Sequence, residues 1–360
     1  MEITVSQSTE LPDLAASWTE LEGRADGGFF LSWRWIGSWL RATGVKPLLV
    51  TAKEDGRIVA LGLLARARRG RLFFSVRQLC LHETGLAECD AVMIEHNNFL
   101  VARGAPTGVV ADLLRALQTA DPSWDEIALG GICANVAADI EAAGLTVVTD
   151  RVSPDFGVAL SRQDPSGRWE DRLSQNQRAQ LRQSRSFAER MGPLTLTAAS
   201  GPSQALEFFE KMVVLHSAYW RAKGKPGAFA TPFSRAFHRE LITAQSGPGT
   251  VELLELSAGG EVLGYLYNFA YGARVYSYQS GFSYSDDNKH RPGLLAHVLA
   301  IERARDRGMG VYDFLAGDAP YKARLGQQLG QMMWCRGQRN RPLLRCERAA
   351  RAFYRRLRGA

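Results

Sequence analysis

The chain has 360 residues, 46% of them hydrophobic and 22% charged, with a formal net charge of +7. That apolar share excludes an unfolded or fibrous chain, and the length suits two domains or one duplicated domain. The five cysteines, Cys80, Cys89, Cys133, Cys335 and Cys346, show no C-x-x-C or C-x-x-H spacing, which excludes a disulfide framework and a cysteine zinc site and points to a reduced compartment.

Met1-Glu2-Ile3-Thr4 carries no basic or apolar leader pattern, and no later segment approaches the ~18 consecutive apolar residues of a membrane helix. A soluble, cytoplasmic protein without an integral membrane segment is expected. Phe29-Phe30-Leu31-Ser32-Trp33-x-Trp35-x-x-x-Trp39-Leu40 reads as an aromatic helix start, and Lys46 to Arg66 as a hairpin turning at Asp55-Gly56. Strands near Leu72 to Leu81 and Asp90 to Ile94 follow, then a helix from Thr107 to Ala120, a strand at Glu126 to Leu129 and a helix from Ala134 to Ala143. A second half opens near Asp164 with a helix to Met191, followed by helices from Pro202 to Lys223 and from Pro232 to Ser246. Its sheet uses Val251 to Ser257, Val262 to Ala270, Arg274 to Gly281 and Val311 to Leu315. The expected fold class is α/β, with domains at 1–160 and 161–345 and a basic C-terminal helix or tail at 346–360.

Between Tyr276 and Gly326 the joints carry the chemistry. A strand with aromatic alternation ends at Gly281, and the polar loop Ser283 to Arg291 can hold no core, so it is a place for a site. Pro292-Gly293 opens a helix to Arg307, with Leu294, Leu295, Val298, Ile301 and Ala304 on one face and Gly308 placed to end it. Lys289, His290 and Arg291, with Pro292, Gly293 and Leu294, therefore sit where free N–H groups and the positive end of the helix dipole would hold a phosphate. Val311-Tyr312-Asp313-Phe314-Leu315 follows as a strand, then Gly317-Asp318-Ala319-Pro320 and Tyr321-Lys322-Ala323-Arg324-Leu325-Gly326.

This ordered set resembles the second half of the GNAT acyltransferase core. Asp313-Phe314-Leu315-x-Gly317-Asp318-x-x-Tyr321-Lys322 after Pro292-Gly293 resembles more closely the cellulose-biosynthesis-type (CelD-like) branch, which is related to the Fem-type aminoacyltransferases. The resemblance implies two tandem GNAT-like halves, each a mixed, mostly antiparallel sheet flanked by helices. It covers most of the chain loosely from Phe29 onward, but only the second half carries chemical motifs. It further implies a phosphopantetheine thioester donor, acyl-CoA or acyl carrier protein, with its pyrophosphate at 289–294.

Acyl transfer requires a neutral amine, a stabilised oxyanion and a protonated leaving thiolate. The resemblance assigns Tyr321 to the leaving group and Lys322 to the oxyanion; otherwise they are a packing tyrosine and a surface lysine at a helix start. Asp318 is the candidate for holding the amine or removing its proton, whereas Asp313, in an apolar strand, needs a backbone or arginine partner or contacts substrate. His216 and Trp220 share a helix face and, with Lys223-Gly224, resemble the Trp-x-x-Lys-Gly element near the family's acceptor groove, which makes His216 a candidate base. Tyr278 and Gln279 are expected beside the acceptor. Arg178, Arg182 and Arg185 form one stripe suited to phosphate or an anionic acceptor, or simply an exposed polar face. His82, His96, His238 and His297 show no ligand spacing and are read as structural.

The first functional reading is an N-acyltransferase acting by direct attack and without metal, on an amino sugar, a peptide lysine or a small amine. The alternatives are a Fem-type enzyme drawing on charged tRNA, and a non-catalytic scaffold that binds a carrier. Gly130-Gly131 and Gly259-Gly260 fit no nucleotide-binding pattern. Arginines crowd the C-terminus from Arg336 to Arg358. They read as a solvated helix end with Leu344, Phe353 and Leu357 on its buried side, or secondarily as a dock for an anionic carrier. Without a helix-turn-helix or zinc spacing, the charge implies no DNA partner.

Overall fold

A computed structural model describes residues 1–7, 11–71, 73–160, 169–244 and 249–358. The chain divides into two compact units, Met1–Val152 with Met332–Ala360, and Ser153–Gln331. No described helix is long and apolar enough to cross a membrane.

The first unit holds β1 (Glu2–Gln7), α1 (Leu11–Glu22), α2 (Trp33–Thr43), β2 (Leu48–Glu54), β3 (Arg57–Gly70), β4 (Ser75–Leu81), β5 (Leu100–Val101), α3 (Val109–Ala120), β6 (Glu126–Cys133) and α4 (Ala134–Ala142). The expected aromatic helix start is α2. The Ser32 side chain accepts from Trp35 N, Gly44 ends the helix at φ 63°, and Trp35 and Trp39 are buried, so cap, stop and apolar face agree. The β2–β3 hairpin turns at Asp55 (φ 49°) and Gly56 (φ 78°), the left-handed pair its tight turn demands. Within this unit the strand order is β1-β2-β3-β4-β6, with β5 beside β3. The β4–β6 pairing is parallel and the others are antiparallel. The strand expected from Asp90 to Ile94 is instead a short 3-10 turn, Asp90–Val92: the Asp90 carboxylate binds the Thr84 and Gly85 N–H groups and ties the segment into a loop.

The strand β7 (Thr146–Ala159) runs from the first unit into the second. The second unit continues with α5 (Gln175–Glu189), β8 (Leu194–Ala198), α6 (Pro202–Ala222), α7 (Pro232–Thr243), β9 (Thr250–Ala258), β10 (Glu261–Tyr271), β11 (Arg274–Phe282), α8 (Pro292–Asp306), β12 (Val311–Ala316) and α9 (Pro320–Leu325). Then β13 (Gln327–Gln338) and α10 (Pro342–Arg358) follow, and the chain from Met332 counts with the first unit. The strand order here is β7-β12-β11-β10-β9-β8. Only β11–β12 is parallel among these described pairings. The helix expected from Asp164 lies partly outside the described residues; its described part is α5, opened by a reciprocal Ser174–Gln177 cap. The expected end of α7 at Ser246 also lies outside them.

Each unit thus follows one plan: an antiparallel hairpin sheet, one parallel pair joined through a helix, a short helix, and a last strand. In each, the last strand comes from the other half of the sequence: β13 from Met332 pairs with β6 in the first unit, and β7 from Asp155 pairs with β12 in the second. The expected architecture, two tandem halves with mixed, mostly antiparallel sheets flanked by helices, is what the structure has.

Candidate active site

A cleft of about 440 Å³ opens in the second unit where β11 and β12, parallel at their starts, give way to loops. Ligand sites favour such ends of parallel strands. β11 reaches it through a bulge: against β10, Tyr267 faces Gln279 and Asn268 faces Ser277, so Tyr278 is the extra residue. Beyond the bulge Ser280 and Phe282 line the cleft, while Gly281 turns to α6. A Cβ on Gly281 would lie 2.4 Å from the Met212 carbonyl oxygen, so α6 can seat there only on glycine. Helix α8 forms another wall, with Pro292 at its first position. Gly293, Leu294 and His297 face inward, Leu325 adds apolar lining, and Gln180 and Arg324 add polar edges.

Tyr321 stands in the first turn of α9 and lines this cleft. Its ring stacks on His297, with centroids 5.2 Å apart and planes 13° from parallel, and meets Phe314 edge-on at 5.8 Å. Tyr321 is 41% exposed, toward the cleft; its phenol, like any tyrosine, carries its proton at neutral pH, and desolvation pushes its pKa further up, so it stands as a hydrogen-bond donor. His297 is buried, with Nδ1 3.3 Å from the Tyr312 hydroxyl. Burial and then the Lys322 charge lower its pKa to about 3, so it presents a neutral ring.

The turn that delivers Tyr321 is held by two motif residues. Leu315 is buried at φ 63°, a left-handed conformation that costs a branched side chain energy. Asp313 Oδ1 accepts from Leu315 N at 2.7 Å, and Lys322 Nζ donates to the Leu315 and Ala316 carbonyls at 3.1 and 2.7 Å. Gly317 follows at φ 134°, where a Cβ would sit 3.1 Å from Lys322 Nζ. The other Asp313 oxygen accepts from Arg274 at 2.6 Å, the arginine partner a buried strand aspartate needs. Lys322 and Asp313 are buried and hold backbone; neither lines the cleft, nor does Asp318, which is exposed.

The loop 283–291 is folded on itself. His290 Nε2 lies 2.7 Å from the Ser283 carbonyl, and Asp287 takes the Lys289 N–H on its carboxylate and the His290 N–H on its carbonyl. The Arg291 N–H donates to Ser184 Oγ, the Leu294 N–H returns to the Arg291 carbonyl, and the Arg291 guanidinium reaches Gln180. Four of the N–H groups expected to cradle a pyrophosphate therefore already have partners. His290, Arg291, Gly293 and Leu294 nonetheless line the cleft.

Other candidates fall elsewhere. His216 Nδ1 lies 2.9 Å from the Ser280 carbonyl, so it must donate, and Nε2 accepts from Ala228 N at 3.1 Å. Both ring nitrogens are thus committed to backbone, and burial lowers its pKa. Trp220 packs beside it at 6.0 Å. Tyr278 is buried against His238, Tyr267 and Phe269, and Gln279 is half-buried. Arg178 donates to the Asp171 and Leu173 carbonyls, Arg185 pairs with Glu170 at 3.2 Å, and Arg182 is exposed. Of the residues that line the cleft, sequence reading had not placed His297, Phe282, Gln180 or Arg324 in a site. His297 follows Gly293 by four on α8, so the helical period alone put it on that wall.

Residues 175–323 match the family model described as an acetyltransferase (GNAT) domain, a span that lies within the second unit and includes Tyr321. Among solved structures, FemX is similar over 96% of this chain and 99% of its own, at a TM-score of 0.59 and 11% identity. The L-PGS of Bacillus licheniformis covers 92% of this chain and 93% of its own at 0.55 and 12%. The C-terminal domain of a putative lysylphosphatidylglycerol synthetase from Agrobacterium fabrum covers the same shares at 0.54 and 13%. At these identities the likeness is one of fold. No curated protein matches the sequence. A GNAT-type transferase domain in the second unit is what these findings support.

Proposed function

We propose that the second unit transfers an acyl group from a thioester, acyl-CoA or a phosphopantetheinyl carrier protein, to an amine by direct attack. The observation that carries this reading is the cleft itself. Its volume of about 440 Å³ suits a pantetheine arm, its lining joins apolar Phe282, Leu294 and Leu325 to a protonated phenol, and it lies in the stretch that matches the acetyltransferase domain. The thioester supplies the activated carbonyl; the chain supplies position, a donor and water exclusion. Tyr321 donates a hydrogen bond to the sulfur as charge develops there, held by the flat face of His297. Complete proton transfer from a phenol to a thiolate is uphill, so Tyr321 holds the sulfur by a hydrogen bond as the C–S bond breaks and the C–N bond forms, and the proton lost by the attacking amine reaches the departing thiolate through solvent. Lys322 and Asp313 are positioning residues for that tyrosine. Arg291 and Arg324 meet the donor's phosphates from the lining, with the Lys289 and His290 N–H groups joining them once Asp287 gives them up. Asp318, exposed on the turn just before Tyr321, is the carboxylate proposed to hold the acceptor amine; Tyr278, Trp220 and Arg178 are held in packing or on backbone carbonyls, Gln279 and Arg182 lie outside the lining, and none is given a substrate contact. The CelD-like branch of the GNAT superfamily is the assignment this reading favours.

The test is product mass spectrometry with acetyl- to long-chain acyl-CoA and a panel of amino sugar, peptide lysine and small amine. Tyr321→Phe, which keeps the ring stack, is expected to lower kcat about a hundredfold with KM little changed. A variant that keeps full rate with a productive pair sinks the assignment. One observation favours a second reading, in which charged tRNA is the donor as in Fem-type enzymes: the cradle N–H groups are already engaged and a carboxylate sits among them. That reading predicts RNA binding with steep salt dependence and no response to coenzyme A.

A further inference from the structure

Helix α10 is amphipathic, and it docks on the first unit by its charged side. Leu344 is buried, Glu347 pairs with Arg351 at 2.6 Å and Arg71 at 3.4 Å, and Arg348 donates to Gln338 at 2.6 Å. Leu343, Cys346, Ala350 and Phe353 fall on one arc of the helix, and all four are exposed, Leu343 at 60% and Phe353 at 65%. The expectation that Phe353 would be buried is therefore corrected: buried Leu344, with Glu347 on Arg71 and Arg348 on Gln338, sets the rotation of the helix and turns the apolar arc outward. The Leu357 side chain lies outside the described residues. In the same unit the tip of the β3–β4 hairpin exposes Phe73 at 90%, and Phe74 and Ser75 line one groove with Pro342 and Leu343. The hairpin arms expose Arg68 and Arg69 beside this apolar surface, while Arg66 and Arg77 are paired with Asp121 and Asp125.

We propose that this face of the first unit docks on a bilayer containing anionic lipids, with Phe73, Leu343 and Phe353 entering the boundary between headgroups and acyl chains. An apolar face this open implies a cover. The guanidinium groups of Arg68 and Arg69 beside it match phosphate, and a bilayer of acidic lipids presents an apolar bed and an anionic surface together. A second copy would set the arginines against themselves, and RNA offers phosphate without a continuous apolar bed. The inference goes beyond the acyl-transfer reading and rests on no residue of the cleft.

The test is co-sedimentation of the full chain with phosphatidylglycerol–phosphatidylcholine vesicles and with phosphatidylcholine vesicles alone, at low and high salt. Expected is binding to the anionic vesicles that weakens with salt and falls about tenfold in Phe73→Ser/Phe353→Ser, with circular dichroism and Tm unchanged. Arg68→Gln/Arg69→Gln should weaken it separately. The proposal is overturned if anionic vesicles do not bind, or if the double variant binds equally. It is also overturned if the same two phenylalanines support RNA retention or a concentration-dependent dimer in place of vesicle binding.

Discussion

Tyr321 and Lys322 are neighbours in sequence and opposite in situation. One lines the cleft with a raised, protonated phenol; the other is turned inward onto the carbonyls of Leu315 and Ala316. Removing the ammonium leaves buried acceptors without their donor, which costs about 2 kcal/mol. Lys322→Met should therefore unfold at lower urea and lose transfer rate through a displaced Tyr321. If it loses rate with stability unchanged, the ammonium acts on substrate and the clamp is wrong. The motif was legible in the sequence as a chemical element, and the need of Asp313 for an arginine or backbone partner followed from its apolar strand. The clamp itself was not legible, because a left-handed leucine leaves no mark in composition. His216 shows the converse: its spacing to Trp220 was visible, but the two backbone groups that occupy its ring come from Ser280 and Ala228, contacts that only tertiary folding creates.

Elements that carry their own caps were readable. The Pro292 start of α8, the Pro202 start of α6 and the Asp55-Gly56 hairpin are local signals, and each stands near its expected place. The strands β1, β7, β8 and β13 were not anticipated. β7 and β13 are long, half-exposed and poor in regular alternation, and their identity as strands depends on partners far along the chain. The bulge at Tyr278 likewise follows from pairing with β10, and it decides which β11 side chains reach the cleft. Gly281 tests that geometry. Gly281→Ala brings a methyl to 2.4 Å from the Met212 carbonyl, so α6 must move. A loss of about 2 kcal/mol is expected in urea denaturation, with weaker ligand binding in the cleft. An alanine variant of wild-type stability would mean that α6 does not sit as tightly on β11 as described.

In the molecule as a whole, two copies of one plan are built, and the second unit brings phenol, imidazole and a helix start to a cleft. That unit also hides two neutral histidines, His238 and His297, each with a pKa lowered by burial from 6.5 to about 3. Folded imidazoles that refuse protons destabilise the fold once the unfolded chain accepts them. Stability is then unaffected above about pH 6.5 and falls as pH drops toward 3, by up to about 2 kcal/mol per histidine at pH 5. Tm should fall over that range, and His297→Gln should flatten the slope; an unchanged slope would mean that His297 is not buried neutral. Duplication could be suspected from length and the order of elements, yet the return of the last strand to the other unit could not, since it is a property of pairing and not of any segment.

The most direct test of acyl transfer in this cleft is calorimetric titration of the full chain with coenzyme A, acetyl-CoA and a long-chain acyl-CoA, repeated on Leu294→Arg. Micromolar binding of at least one thioester, lost when the arginine fills the apolar lining, is the predicted result. No binding by any of the three, or binding that Leu294→Arg leaves unchanged, would contradict it.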